Sequence, residues 1–79
     1  MNIPNRFLEK IENRIKELGI RINVLLYKLN EFSKDYVDGK IYEDALEYNV
    51  RKTHTELEIN KATIKELQIV LDDIKKGVY

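Results

Sequence analysis

The chain has no cysteine and no tryptophan, one proline and three glycines. Without cysteine there is no disulfide, no thiolate metal site and no cysteine nucleophile, a composition that fits a reducing compartment. A net charge is missing as well. Fourteen Lys and Arg balance fourteen Asp and Glu, so the chain is neither a basic nucleic-acid tail nor an acidic one. No segment reaches the roughly 18 apolar residues that a membrane span needs. The opening Met1-Asn2-Ile3-Pro4-Asn5-Arg6-Phe7 lacks the basic-then-apolar order of a signal peptide. Together these absences predict a cytoplasmic protein without membrane association. The GxGxxG, P-loop, GxSxG and zinc-ligand spacings are also missing.

Seventy-nine residues make one small domain at most. Ile, Lys, Asn, Glu and Tyr are abundant. Their codons are A/T-rich, which points to an A/T-rich cellular, plasmid or viral genome. Residues 1–37 carry seven Lys/Arg against five Asp/Glu, and residues 38–79 carry seven against nine. Halves of modest opposite charge suit two segments packed side by side.

The apolar residues follow two seams. The first is Leu8, Ile11, Ile15, Leu18, Ile22, Leu25, Leu29, Phe32 and Tyr36, with spacings that alternate three and four. The second is Leu46, Val50, Thr53, Leu57, Asn60, Ile64, Leu67, Leu71, Ile74 and Val78, interrupted only by Thr53 and Asn60. Such spacing lays one face of each helix against a partner. Helix 1 is predicted over about residues 4–37, with Pro4 in its first turn and Asn5 as a competing N-cap. Asp38-Gly39 ends it and a loop follows over residues 38–42. Helix 2 is predicted over about residues 43–76. Glu43 and Asp44 sit at its positive end, Lys75 and Lys76 at its negative end, and Gly77 terminates it.

A short loop makes the helices antiparallel neighbours. Layers then pair residues whose numbers sum to 82, from Leu8/Ile74 through Leu25/Leu57 to Tyr36/Leu46. All nine layers match, and Lys28 is placed beside Glu56. The predicted fold is all-α: one antiparallel coiled-coil hairpin over residues 1–79, a rod about 45 Å long at 1.5 Å per residue. Gly19 falls inside helix 1 but in phase with the seam, so a continuous helix is expected there. Close approach by another helix would explain its missing side chain.

Eighteen seam side chains fall short of what ordering a chain of this length demands. Further apolar residues lie off the seam: Ile20, Val24, Leu26 and Tyr27 on helix 1, with Tyr48, Ile59, Ala62, Ile69 and Val70 on helix 2. Gly19, Ile20, Val24, Leu26, Tyr27, Ile59, Ala62, Ile69 and Val70 are therefore the candidate interface of a homodimer, two hairpins closing into a four-helix bundle. Asn60 opposite Ile22, and Thr53 opposite Leu29, are candidate specificity residues, because a polar residue in a seam fixes register or oligomer state. Phe32, Tyr36, Tyr42 and Tyr48 cluster near the loop, as closed-end packing or as contacts for a partner. The basic edge Arg6, Lys10, Arg14, Arg21 and Lys28 offers candidate phosphate contacts, though Glu9, Glu12 and Glu17 interleave with it.

His54 is the single histidine, beside the seam with no ligand-spaced neighbour, so no metal site, catalytic group or cofactor is expected. Small helical-hairpin dimers that are enzymes, such as the all-helical chorismate mutases, need Arg and Lys turned into the bundle. Here the interior positions are aliphatic. In architecture the chain resembles small antiparallel hairpins that dimerise into four-helix bundles, among them plasmid- and virus-encoded adaptor or regulatory proteins. That resemblance carries over no functional residue. The expected role is a non-enzymatic interaction module, with itself and an unidentified protein as partners. The alternative is a small nucleic-acid-binding regulator that uses the basic edge.

Overall fold

A computed structural model describes residues 5–77. It shows an all-α antiparallel hairpin, with α1 at Asn5–Val37 and α2 at Glu43–Lys75 packed along each other. Pro4 and Val78 lie outside the described residues. Asn5 is already helical.

The loop is built by the backbone. Gly39 takes φ +74, a left-handed conformation that glycine adopts without steric penalty. Its N–H donates to the Tyr36 carbonyl at 3.1 Å, and the Lys40 N–H donates to the Asp35 carbonyl at 2.8 Å. These two bonds make a Schellman ending, which satisfies carbonyls that the helix would otherwise leave open. Gly77 repeats the device at the end of α2, with φ +79 and a 3.1 Å bond from its N–H to the Ile74 carbonyl. The start of α2 is less well made. Tyr42 occupies the N-cap in an extended conformation and its side chain makes no capping bond. Glu43 and Asp44 in the first turn compensate through the helix dipole.

The core is thin. Ile11, Leu18, Leu25 and Leu57 are the buried apolar side chains, and the α1 members recur every seven residues. Leu25 and Leu57 share a layer and are 1% and 3% exposed. Thr53 is buried too, and the other described seam residues are half-buried, except Tyr36 at the loop end, which is exposed. One helix covers the seam of its neighbour from one side only, so a two-helix rod cannot seal more.

The register is fixed from outside the seam as well. Arg21 meets Glu56 at 3.1 Å, and Lys75 meets Glu12 at 3.9 Å. The first pair of numbers sums to 77 and the second to 87, equally displaced from 82 on opposite flanks. Glu56 thus pairs with Arg21 and not with Lys28. On that flank the antiparallel register sets residues summing to 77 across from each other, and Lys28 faces Asn49. The rod measures 58 × 15 × 12 Å, longer than the seam alone, because both helices run past it and the loop adds to one end.

α1 is one continuous helix through Gly19. A Cβ built there meets no atom within 4 Å, so nothing inside the hairpin requires a glycine at that position. Among the described residues no helix is long and apolar enough to cross a membrane.

Candidate interaction surface

The seven-residue repeat divides the rod into two flanks and two outer backs. One flank carries the Arg21–Glu56 pair and the other the Glu12–Lys75 pair. The candidate dimer residues distribute unevenly over these surfaces. Val24 and Ile59 lie at the same level on the Arg21–Glu56 flank, with Val70 toward the open end. Ile20 and Tyr27 border that flank on the back of α1, and Ala62 and Ile69 border it on the back of α2. Gly19 and Leu26 fall on the opposite flank. Ile20 and Tyr27 are 60% and 65% exposed. Val24, Leu26, Ile59, Ala62 and Ile69 are also exposed, and Val70 is half-buried.

A second group of exposed residues sits at the closed end. Tyr42 is 88% exposed, and Tyr36, Val37 and Tyr48 are exposed beside it. Phe32 is half-buried, so the aromatic cluster divides into one packing residue and three that face outward. The surrounding stretch 35–48 carries five carboxylates and one lysine.

The seam's polar positions differ from each other. Thr53 is 7% exposed, the one buried polar residue among the described residues, whereas Asn60 is half-buried. No side-chain hydrogen bond of Asn60 joins it to another described residue.

The basic edge of α1 is partly committed. Arg14 pairs with Glu17 at 3.3 Å and Arg21 with Glu56 at 3.1 Å. Arg6, Lys10 and Lys28 are exposed and make no ion pair with a described residue. Between the helices, Lys28 shares a groove with Asn49, Lys52 and Thr53 of α2. Asn49 and Lys52 are groove residues that a reading along one helix misses. The signal that finds them is the flank register, which sets Asn49 across from Lys28. His54 is exposed and stands 3.9 Å from Glu58, on the surface of α2. Among the described residues no group of three or more His, Asp or Glu is placed to hold a metal ion.

Comparisons with protein-family models, with curated proteins and with solved structures find no match to this chain.

Proposed function

We propose that the chain is a non-enzymatic interaction module that pairs with a second copy into a four-helix bundle and offers the assembled surface to a partner protein as an adaptor or regulator. The observation that carries this reading is the surface area. The hairpin exposes 6359 Å², whereas a compact monomer of 9.4 kDa exposes about 5,000 Å² on the area–mass scaling. The surplus of roughly 1,300 Å² exceeds the ~800 Å² per partner of a standard interface. The radius of gyration of 17.7 Å compares with about 12 Å for a compact chain of this length.

The flank bearing Val24, Ile59 and Val70, bordered by Ile20, Tyr27, Ala62 and Ile69, is the face that a second hairpin covers best. It gathers seven of the nine candidate interface residues, and their burial adds the core that a lone seam lacks. The closed end stays outside that face. Tyr36, Tyr42 and Tyr48 there offer amphipathic rings of the kind enriched in protein interfaces.

Light scattering on the purified chain at micromolar concentration tests the reading. A mass of about 19 kDa, twice the chain mass of 9.4 kDa, is the expected result. A stable species of one chain mass refutes the dimer.

A further inference from the structure

We propose that the groove between α1 and α2 formed by Lys28, Asn49, Lys52 and Thr53 is a seat for a phosphate group. The inference goes beyond the dimer reading and requires the groove on that flank to stay open to solvent. The groove holds about 330 Å³ and takes its walls from both helices. It includes three cations, Arg21, Lys28 and Lys52, and one carboxylate, Glu56. Arg21 takes up that carboxylate at 3.1 Å. Lys28 and Lys52 pair with no carboxylate among the described residues, so the groove keeps two uncommitted positive charges.

Thr53 is the independent sign of a ligand. It occupies a seam position that is aliphatic in most layers, and it is 93% buried by its 7% exposure. Two other threonines of α2 return their hydroxyls to the helix: Thr55 donates to the Arg51 carbonyl at 3.0 Å and Thr63 to the Ile59 carbonyl at 2.9 Å. Thr53 makes no such bond. No fully buried side-chain oxygen or nitrogen among the described residues lacks a partner, so the Thr53 hydroxyl is not sealed in, and Thr53 is one of the residues that line the groove. Asn49 lies one turn earlier on the same edge and adds a carboxamide. Two ammonium groups, an amide NH₂ and a hydroxyl form a set of donors matched to an oxyanion with several acceptor oxygens.

The location favours an anion as well. Residues 18–34 and 49–64 together carry six Lys/Arg against three Asp/Glu, so the middle of a neutral rod is positive. A cleft lined by one sign of charge concentrates the opposite ion. The groove opens on the same Arg21–Glu56 flank as Val24 and Ile59, with Lys28, Asn49, Lys52 and Thr53 toward the loop from them, so a second hairpin laid along the whole flank would compete with phosphate for it. The phosphate chemistry is shared by free inorganic phosphate and by the backbone of a nucleic acid.

The test is an amide NMR titration of the full chain, once with inorganic phosphate and once with a short single-stranded DNA oligonucleotide. Shifts concentrated at Lys28, Asn49, Lys52 and Thr53 are expected. Saturation by phosphate identifies a seat for the free ion, and saturation by the oligonucleotide alone identifies a backbone phosphate. Replacing both Lys28→Gln and Lys52→Gln is expected to weaken binding by about tenfold or more, the loss of charged hydrogen bonds. Lys61→Gln with Lys65→Gln removes the same charge elsewhere and is expected to leave binding within about twofold, since only screened long-range attraction is lost. Thr53→Val keeps the side-chain shape and is expected to weaken binding while the helical circular dichroism stays unchanged. No response to either probe overturns the seat. Equal weakening by the two lysine pairs also overturns it, because the attraction is then diffuse.

Discussion

The guanidinium of Arg21 meets the carboxylate of Glu56 at 3.1 Å across the helix–helix seam. This is the shortest ion pair among the described residues and one of two that join α1 to α2. Its side chains are 47% and 44% exposed, so solvent screens much of the attraction. A double-mutant cycle with Arg21→Ala and Glu56→Ala, followed by urea denaturation, is expected to give a coupling of about 0.2–1 kcal/mol at low ionic strength. The coupling is expected to shrink in 1 M salt, where the Debye length falls to about 3 Å. No coupling at low salt would show that the two groups do not pair in solution. The value of the contact lies in register. A slide of one helical turn along the seam still meets apolar residues, but it takes Arg21 away from Glu56 and Glu12 away from Lys75.

The hairpin is legible in the sequence because its causes are local or periodic. The three-four spacing marks the buried stripe, Asp38-Gly39 supplies the left-handed residue that stops α1, and the layers summing to 82 follow once the loop is short. Flank contacts are harder to read. Lys28 and Glu56 look adjacent when residues are projected onto the seam, but flanking positions are offset from the layers, and the offset gives Glu56 to Arg21. The groove is harder still. Lys28 reads as one member of a basic edge along α1, whereas Asn49, Lys52 and Thr53 come from the other helix, and no spacing within either chain segment joins them. The difference between Thr53 and Asn60 also escapes the pattern. Both hold seam positions in layers adjacent to Leu25/Leu57, yet Thr53 is buried and Asn60 half-buried, and nothing in the layer pattern explains the difference.

Gly19 separates the hairpin from its assembly. It is helical, has no neighbour within 4 Å of a built Cβ, and does not use positive φ. Gly19→Ala is therefore expected to stabilise the hairpin by about 0.5–1 kcal/mol through helix propensity and the smaller entropy of the unfolded chain. For a domain of this size that raises Tm by roughly 2–8 °C. Thermal melts followed by circular dichroism at dilute, non-associating concentrations check the sign. A lower Tm there would contradict the open space around this residue. Dimer dissociation measured by sedimentation tests the other half: Gly19 lies on the flank opposite the proposed dimer face, so association is expected to be unchanged, and a weakened dimer would move the interface to the Gly19 flank.

Asn60 tests whether the seam gives up stability for specificity. Its layer partner is Ile22, both are half-buried, and the Asn60 carboxamide has no hydrogen-bond partner among the described residues. A leucine in its place adds apolar burial and removes a polar group from the interior edge. Asn60→Leu is expected to stabilise the chain by about 1 kcal/mol, the scale of one or two buried methylene groups. A polar residue at a seam position also disfavours alternative registers and oligomers that would bury it without a partner. The leucine variant is therefore expected to lose discrimination, and light scattering should show larger or mixed species alongside the higher Tm. A variant that melts lower while its assembly is unchanged would show that the amide makes a required hydrogen bond, and the specificity role would fall.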